Sequence, residues 1–268
     1  MIRTVLTVAG SDSSGGAGIQ ADIKTISAHG MYAMSVITAL TAQNTTGVYG
    51  VETAAPELVG KQLDCIFEDI FPDAVKIGML ANAEITKVVA ARLKKYGARN
   101  IVIDPVMVST SGSRLIAERA VGILKTELFP LGRVITPNIP EAEVLCGFEI
   151  TDKESMLRAA ETISRSTSGA VLIKGGHMEN DATDLLYDNG SVYSFTSKRV
   201  DTKNTHGTGC TLSSAIACGL ADGMELSECV ETAKKYITGA LESGLDLGRG
   251  CGPLNHMYLM RGRGCGRS

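Results

Sequence analysis

Apolar runs and helical periods alternate along most of the chain. Ile2 to Val8 reads as a buried strand, and from Gly18 to His29 the residues Ile19, Ile23 and Ile26 share one helical face until Gly30 stops it. Met34 to Leu40 is strand-like, Glu57 to Asp69 carries Val59, Leu63 and Ile66 at helical spacing, and Ala74 to Ile77 is another short apolar run. Glu84 to Tyr96 repeats the helical period with Ile85, Val88, Val89 and Leu93 and is closed by Gly97. Three further β-branched runs follow, Ile101 to Asp104, Arg133 to Thr136 and Ala170 to Lys174, spaced by helical segments such as Arg119 to Phe129 and Glu154 to Ser164. Strands spaced by helices predict a parallel sheet with right-handed crossovers.

After Lys174 the pattern changes. Asp184 to Tyr187 and Ser191 to Phe195 flank Asp188-Asn189-Gly190, a hairpin signal that predicts an antiparallel edge. Helical periods return at Thr208 to Ala221 and Leu226 to Leu241. No Pro- or Ser-rich linker divides the chain, so the pattern predicts one three-layer α/β/α domain over residues 1–260, with a mostly parallel central sheet. Residues 261–268 form a Gly- and Arg-containing tail too poor in apolar side chains to fold by itself.

Composition narrows the function classes. The 268 residues are 44% hydrophobic, enough for a large core. Lys and Arg number 26 against 29 Asp and Glu, so no positive surplus exists to neutralise nucleic-acid phosphates, and 7 Tyr, 5 Phe and no Trp leave few rings to stack on bases. A nucleic-acid partner is not expected. Nor is a membrane, because no run of about 18 apolar residues occurs, and the start of the chain does not read as a secretory leader; a cytoplasmic location is the expectation. The 7 cysteines are scattered and never spaced Cys-x-x-Cys, which fits neither a disulfide framework nor a zinc knuckle.

In parallel sheets ligands sit beyond the carboxyl ends of the strands. Those junctions read 9–18 (Ala-Gly-Ser-Asp-Ser-Ser-Gly-Gly-Ala-Gly), 42–44 (Ala-Gln-Asn), 78–79 (Gly-Met), 104–107 (Asp-Pro-Val-Met), 136–138 (Thr-Pro-Asn) and 174–176 (Lys-Gly-Gly). A dinucleotide fold would follow its glycines with an acidic residue roughly 20 positions on, and none lies between Ile23 and Val51. Gly60-Lys61 continues with Gln62, so it is no P-loop. At Asn204 to Thr211 small residues lead straight into a helical run. Free amides there fit an anionic oxygen, or else form a plain Gly-containing cap. Cys210 falls in the first turn of that helix, where the dipole is expected to lower the thiol pKa below its reference of about 8.5. Cys146, Cys218 and Cys229 read instead as small core residues.

Together these strings are distinctive. Ala9 to Asp22, Thr41 to Thr45, Val75 to Met79, Asp104 to Met107, Thr136 to Glu143, Asn204 to Cys210 and Gly252 to His256 closely resemble the ribokinase-like hydroxymethylpyrimidine and phosphomethylpyrimidine kinases of thiamine biosynthesis, across nearly the whole chain. The resemblance implies a ribokinase-like fold, ATP and Mg2+ as cofactors, a homodimer, and two phosphorylations: of 4-amino-5-hydroxymethyl-2-methylpyrimidine, then of its monophosphate. It gives Cys210 the acceptor hydroxyl's proton and gives Gly207, Thr208 and Gly209 the phosphoryl oxygens. Lys174, Asn138 and Thr208 would face the nucleotide, with Asp104 and Glu141 holding magnesium, Asn138 and Glu141 forming the family's Asn-x-x-Glu. Gln43 matches the donor and acceptor pattern of the aminopyrimidine, Asp22 would accept from its amino or hydroxymethyl group, and Gly10, Met79 and Val106 would wall the ring.

The loop Val108 to Gly112 departs from the family in lacking a basic residue at Thr110. Ser109 is not the second cysteine of a related branch that also phosphorylates pyridoxal, which favours the pyrimidine over a pyridoxal or dual-substrate kinase. A pyrimidine sensor without turnover would have lost Cys210, Lys174 or the Asn138/Glu141 pair, and all are present. His256 and Gly250 to Gly252 either line the nucleotide pocket or form a C-terminal turn.

Overall fold

Alternation along the strands sorts their side chains onto two helical layers. In a computed structural model describing residues 2–107, 118–175 and 182–260, β1 (Thr4–Asp12) sends Leu6 and Val8 to one face and Val5 to the other. β5 (Ile101–Ile103) and β7 (Ala170–Ile173) split in the same way, Ile103 and Ile173 opposite Val102 and Leu172. Strands buried on both faces read as continuous apolar runs, which is how they stood out in the sequence.

One face is covered by α1 (Gly18–Ala28), α7 (Thr208–Ala221) and α8 (Leu226–Glu242). The other carries α2 (Pro56–Asp69), α3 (Ala83–Tyr96), α4 (Glu118–Ile123), α5 (Ile139–Cys146) and α6 (Lys153–Ser164). With β2 (Tyr32–Asn44), β3 (Gly47–Thr53), β4 (Ala74–Ile77), β6 (Val134–Ile135), β8 (Ala182–Asp188) and β9 (Ser191–Ser197), the described sheet has the order β3-β2-β1-β4-β5-β6-β7-β8-β9. From β2 to β7 every neighbouring pair is parallel; β3, β8 and β9 are antiparallel. The fold is the mostly parallel three-layer α/β/α arrangement read from the pattern.

Two segments differ from that pattern. The second antiparallel edge, β3, was not legible because its residues face solvent for most of its length and two glycines interrupt it. The helix expected over Arg119 to Phe129 breaks after α4 into a π turn at Leu124–Leu128 and a 3-10 turn at Phe129–Leu131, where Pro130 cannot continue the ladder. The departing loop Val108 to Gly112, Gly176 and the tail 261–268 lie outside the described residues.

Candidate active site

The chain reverses its direction of winding between β1 and β4, and such a switch point opens a crevice at the strand ends. Gly10 and Met79 meet there: a Cβ on Gly10 would come within 2.5 Å of the Met79 Cε. Gly10 therefore makes room for the methionine, whose carbonyl accepts a 2.6 Å bond from Thr38 Oγ1. Val106 turns away from β5 through an N–H bond to the Asp104 carbonyl (2.8 Å) and stays partly exposed.

Asp12 organises the loop after β1. Its Oδ1 accepts from the Ser14 amide and hydroxyl, both at 2.8 Å. Its Oδ2 accepts from the amides of Gly16 (3.2 Å) and Ala17 (2.8 Å) and from His206 Nε2 (2.8 Å). Burial would raise the Asp12 pKa, but the His206 and Ser14 bonds outweigh it and bring the carboxyl down to about 2. Since His206 precedes the second glycine loop, this carboxylate ties the two loops together. Gly207 completes the junction with φ of 87°, and a Cβ there would run into the Gly16 carbonyl oxygen. No side chain caps α7. Of the amides expected to face phosphoryl oxygens, that of Thr208 is instead engaged by the Thr205 carbonyl (3.3 Å), while those of Gly209 and the next residue, Cys210, lie in the first turn, which has no intrahelical partner, the arrangement that receives an anion.

Cys210 sits partly buried in this turn. The expected fall in its pKa is corrected. Burial pushes the thiol up to about 11; Lys76 and the Gly18 amide pull it down, while the Asp22 and Asp104 carboxylates push it further up. The helix start is real, but desolvation and two nearby negative charges outweigh it.

Across the crevice, Lys174 Nζ donates to Asp104 Oδ1 at 2.7 Å, and Thr136 Oγ1 reaches the same oxygen at 3.3 Å. A Cβ on Gly209 would lie 3.3 Å from Lys174 Nζ and 3.4 Å from Asp104 Oδ2, so the start of α7 faces this pair. Burial works against the lysine charge, yet Asp104 and Glu141 hold its pKa above the ordinary range. Glu141 is 4% exposed; burial and Asp104 raise it to about 7 against the pull of Lys174 and the Asn138 and Met107 amides. Asn138 and Glu141 also cap α5 reciprocally: Asn138 Oδ1 accepts from the Glu141 amide and Glu141 Oε2 from the Asn138 amide, both at 2.9 Å. The cap and the expected ligand pair are thus the same residues. No group of three His, Cys, Asp or Glu able to hold a metal occurs among the described residues.

Gln43 lies beside the first loop. Its backbone exchanges two bonds with Ser13 Oγ, its Oε1 accepts from Thr41 Oγ1 (3.1 Å), and its Nε2 is 3.4 Å from His206 Nε2. Asp22, in contrast, does not open onto the crevice. It is 0% exposed, with Oδ2 accepting from Thr7 (2.5 Å) and Lys76 (2.8 Å) and Oδ1 from Lys76 (2.9 Å) and Ser214 (2.8 Å). That full set of partners leaves the Asp22 carboxylate nothing to offer a substrate amino group. His256 is also enclosed, 3.0 Å from Thr211 Oγ1, and its pKa is lowered to about 4 by burial. Gly250 and Cys251 bond through their amides to Thr45 at the β2–β3 hairpin tip, so this segment straps the hairpin to the second loop.

Asp12, His206 and Lys76 were not singled out from the sequence. Asp12 precedes Ser-Ser-Gly-Gly, a pattern that favours a turn built on the carboxylate, and Lys76 interrupts an otherwise apolar strand, an anomaly that demands a buried partner. Two surface clefts of about 680 and 620 Å³, one beside α5 and one between β9 and α8, hold none of the site residues.

The comparisons agree with this geometry. A family model described as phosphomethylpyrimidine kinase matches residues 12–255. The thiamine biosynthesis bifunctional protein ThiED of Geobacter sulfurreducens is 53% identical over 95% of this chain, which spans 52% of that longer protein. The hydroxymethylpyrimidine/phosphomethylpyrimidine kinase of Rhizobium meliloti is 48% identical over 96% of this chain and 98% of its own length. Among solved structures, phosphomethylpyrimidine kinase from Clostridium difficile 630 superposes with a TM-score of 0.80 at 47% identity, covering 89% of this chain and 99% of that one. An ADP complex of Bacillus subtilis pyridoxal kinase superposes with a TM-score of 0.89 at 36% identity, covering 97% and 100%. With its strand-end crevice, paired glycine loops and matched length, the chain belongs to the phosphomethylpyrimidine kinase family of phosphotransferases.

Proposed function

We propose that this chain transfers the γ-phosphoryl group of ATP to the hydroxymethyl group of 4-amino-5-hydroxymethyl-2-methylpyrimidine, and then a second phosphoryl group to the monophosphate. The observation that carries the reading is the meeting at the start of α7 of an uncapped helix end, a thiol, and the Lys174–Asp104 pair. Phosphoryl transfer asks mainly for positioning and charge neutralisation. The substrate oxygen forms its bond to phosphorus as the β–γ bridging bond breaks, its electron pair leaving on ADP. The hydroxyl proton passes to Cys210 Sγ when that sulfur is a thiolate. The Gly209 and Cys210 amides receive the equatorial oxygens, and Lys174 offsets the charge growing on the leaving side. Gln43 reads the aminopyrimidine edge, with Gly10, Met79 and Val106 around the ring.

Two carboxylates fit magnesium, which keeps several waters and completes its shell with phosphate oxygens, so Asp104 and Glu141 would hold it. The ion would supply charge neutralisation on the phosphates. A cytoplasmic homodimer belongs to the same reading: no helix among the described residues is long and apolar enough to cross a membrane, and Leu40, Tyr49 and Val51 leave apolar surface exposed on the β2–β3 hairpin.

A pyridoxal kinase is the second reading, supported by the likeness to the Bacillus subtilis enzyme. Measuring kcat/KM with ATP and magnesium for hydroxymethylpyrimidine, its monophosphate and pyridoxal separates the two. Efficient use of both pyrimidines and poor use of pyridoxal is expected; a strong preference for pyridoxal would reverse the assignment.

A further inference from the structure

Among the described residues one ion pair is entirely enclosed and belongs to no surface network: Lys76 on β4 and Asp22 on α1, both with 0% exposed side chains. Stability alone is a weak reason for such a pair, since apolar replacements of similar volume are often as stable or more so. Its placement is more informative. Gly18 and Asp22 are one turn apart on α1, and Cys210 and Ser214 are one turn apart on α7. The start of α7 abuts the loop into α1, where a Cβ on Gly207 would run into the Gly16 carbonyl oxygen, and below that contact Ser214 Oγ bonds Asp22 Oδ1 at 2.8 Å. The lower contact therefore sets the register of the upper one. The Lys76 ammonium meets both Asp22 oxygens and lies directly under the crevice floor, 2.9 Å from where a Cβ on Gly78 would be.

We propose that Lys76 is a positioning residue for phosphoryl transfer: it locks Asp22 against Ser214, thereby seating the first turns of α7 and the Cys210 they carry, and it sets a buried positive charge under this end of the helix. The inference rests on the reading of Cys210 as proton acceptor. Charged groups acting on that sulfur come from every side, Lys76 from β4, Asp22 from α1, Asp104 from the end of β5 and Lys174 from the end of β7. Lys76 is the foremost of the cations and works in the direction of the thiolate. Burial opposes its charge, but the Asp22 and Asp104 carboxylates keep it protonated.

The test is Lys76→Met, which keeps the stem and removes the charge, beside Lys76→Arg, Ser214→Ala and Cys210→Ala in the full chain. Iodoacetamide labelling of the Cys210 peptide at pH 8.5, followed by mass spectrometry, is expected to slow about tenfold in Lys76→Met, one pKa unit's worth, and to recover in Lys76→Arg. Turnover should fall about 10- to 100-fold in Lys76→Met with the KM for ATP within about twofold of wild type. A folded Lys76→Met that labels and turns over like wild type overturns the proposal. Where Lys76→Met does not fold, Ser214→Ala decides, because it leaves the ion pair and removes the bond from α7. A roughly fivefold loss of kcat at unchanged pyrimidine KM supports the proposal, and wild-type kcat overturns it. Wild-type turnover in Cys210→Ala would instead remove the proton-acceptor reading, while the labelling comparison still judges Lys76.

Discussion

The two sides of the crevice are built on different principles. On the β1–α1–α7 side, every carboxylate is engaged: Asp12 gathers two loops with His206, and Asp22 is enclosed by Thr7, Lys76 and Ser214. On the β5–β6–β7 side the charges are buried but shared unevenly, with Asp104 facing Lys174 and Glu141 raised to about 7 beside them. The first side is a frame whose two carboxylates already have their partners. The second has charge to exchange when phosphates and a cation arrive. On the proposed function, fixed geometry is thus concentrated where the acceptor hydroxyl would be aligned, and adjustable charge where the nucleotide's charge would change.

The largest test of this contrast is Gly207→Ala. The positive φ and the nearby Gly16 carbonyl leave no room for a methyl group, so the loops must separate and the amides lose their aim. A drop in kcat/KM of about 10²- to 10³-fold is expected by steady-state assay, the range for losing an oxyanion donor. Lys174→Met should rank next, with about 10²-fold lower kcat and a higher KM for ATP while pyrimidine binding, read by calorimetry, is nearly unchanged. Comparable losses in pyrimidine affinity would erase the division between the sides.

Much of the fold was legible because its strands are buried on both faces and its helices carry regular apolar stripes. Thr208–Ala221 matches the expected helix at both ends. The edge strand β3 was not, since exposed strands lose their apolar signature. In the site, Lys174, Asp104 and Gly209 stood at predictable strand and helix ends and do meet. Asp22 stood in the same motif but points into the core, and Cys210 showed its helix position but not its desolvation. Burial and partner identity arise from contacts between distant segments, as between Asp22, Lys76 and Ser214, and no local pattern carries them.

Smaller effects sharpen the comparison. Asp12→Asn should cost about 1.5–3 kcal/mol in urea unfolding, the range for hydrogen bonds to a charged group, and raise the pyrimidine KM. In wild type the Asp12 carboxyl is depressed from 3.8 to about 2, so its contribution is complete above pH 4 and fades as pH falls towards 2. Glu141 has the opposite sign. A carboxyl raised from 4.5 to about 7 binds its proton more tightly in the folded chain, so its effect on metal-free stability declines as pH rises from 4.5 to 7. Glu141→Gln should flatten that decline, a difference on the order of 2 kcal/mol between pH 5 and 8 by denaturant titration. An identical pH dependence in the two chains would mean that Glu141 is not the titrating group.

The central claim is that Cys210 takes the hydroxyl proton, and the pH dependence of pyrimidine kcat/KM in wild type and Cys210→Ala tests it most directly. With the thiol at about 11, the reactive thiolate is scarce at neutral pH, so the wild-type rate should climb nearly tenfold per pH unit between pH 7 and 9.5. Cys210→Ala should be at least about 10²-fold slower and flat across the same range. Equal rates, or the same slope in both enzymes, would contradict the account.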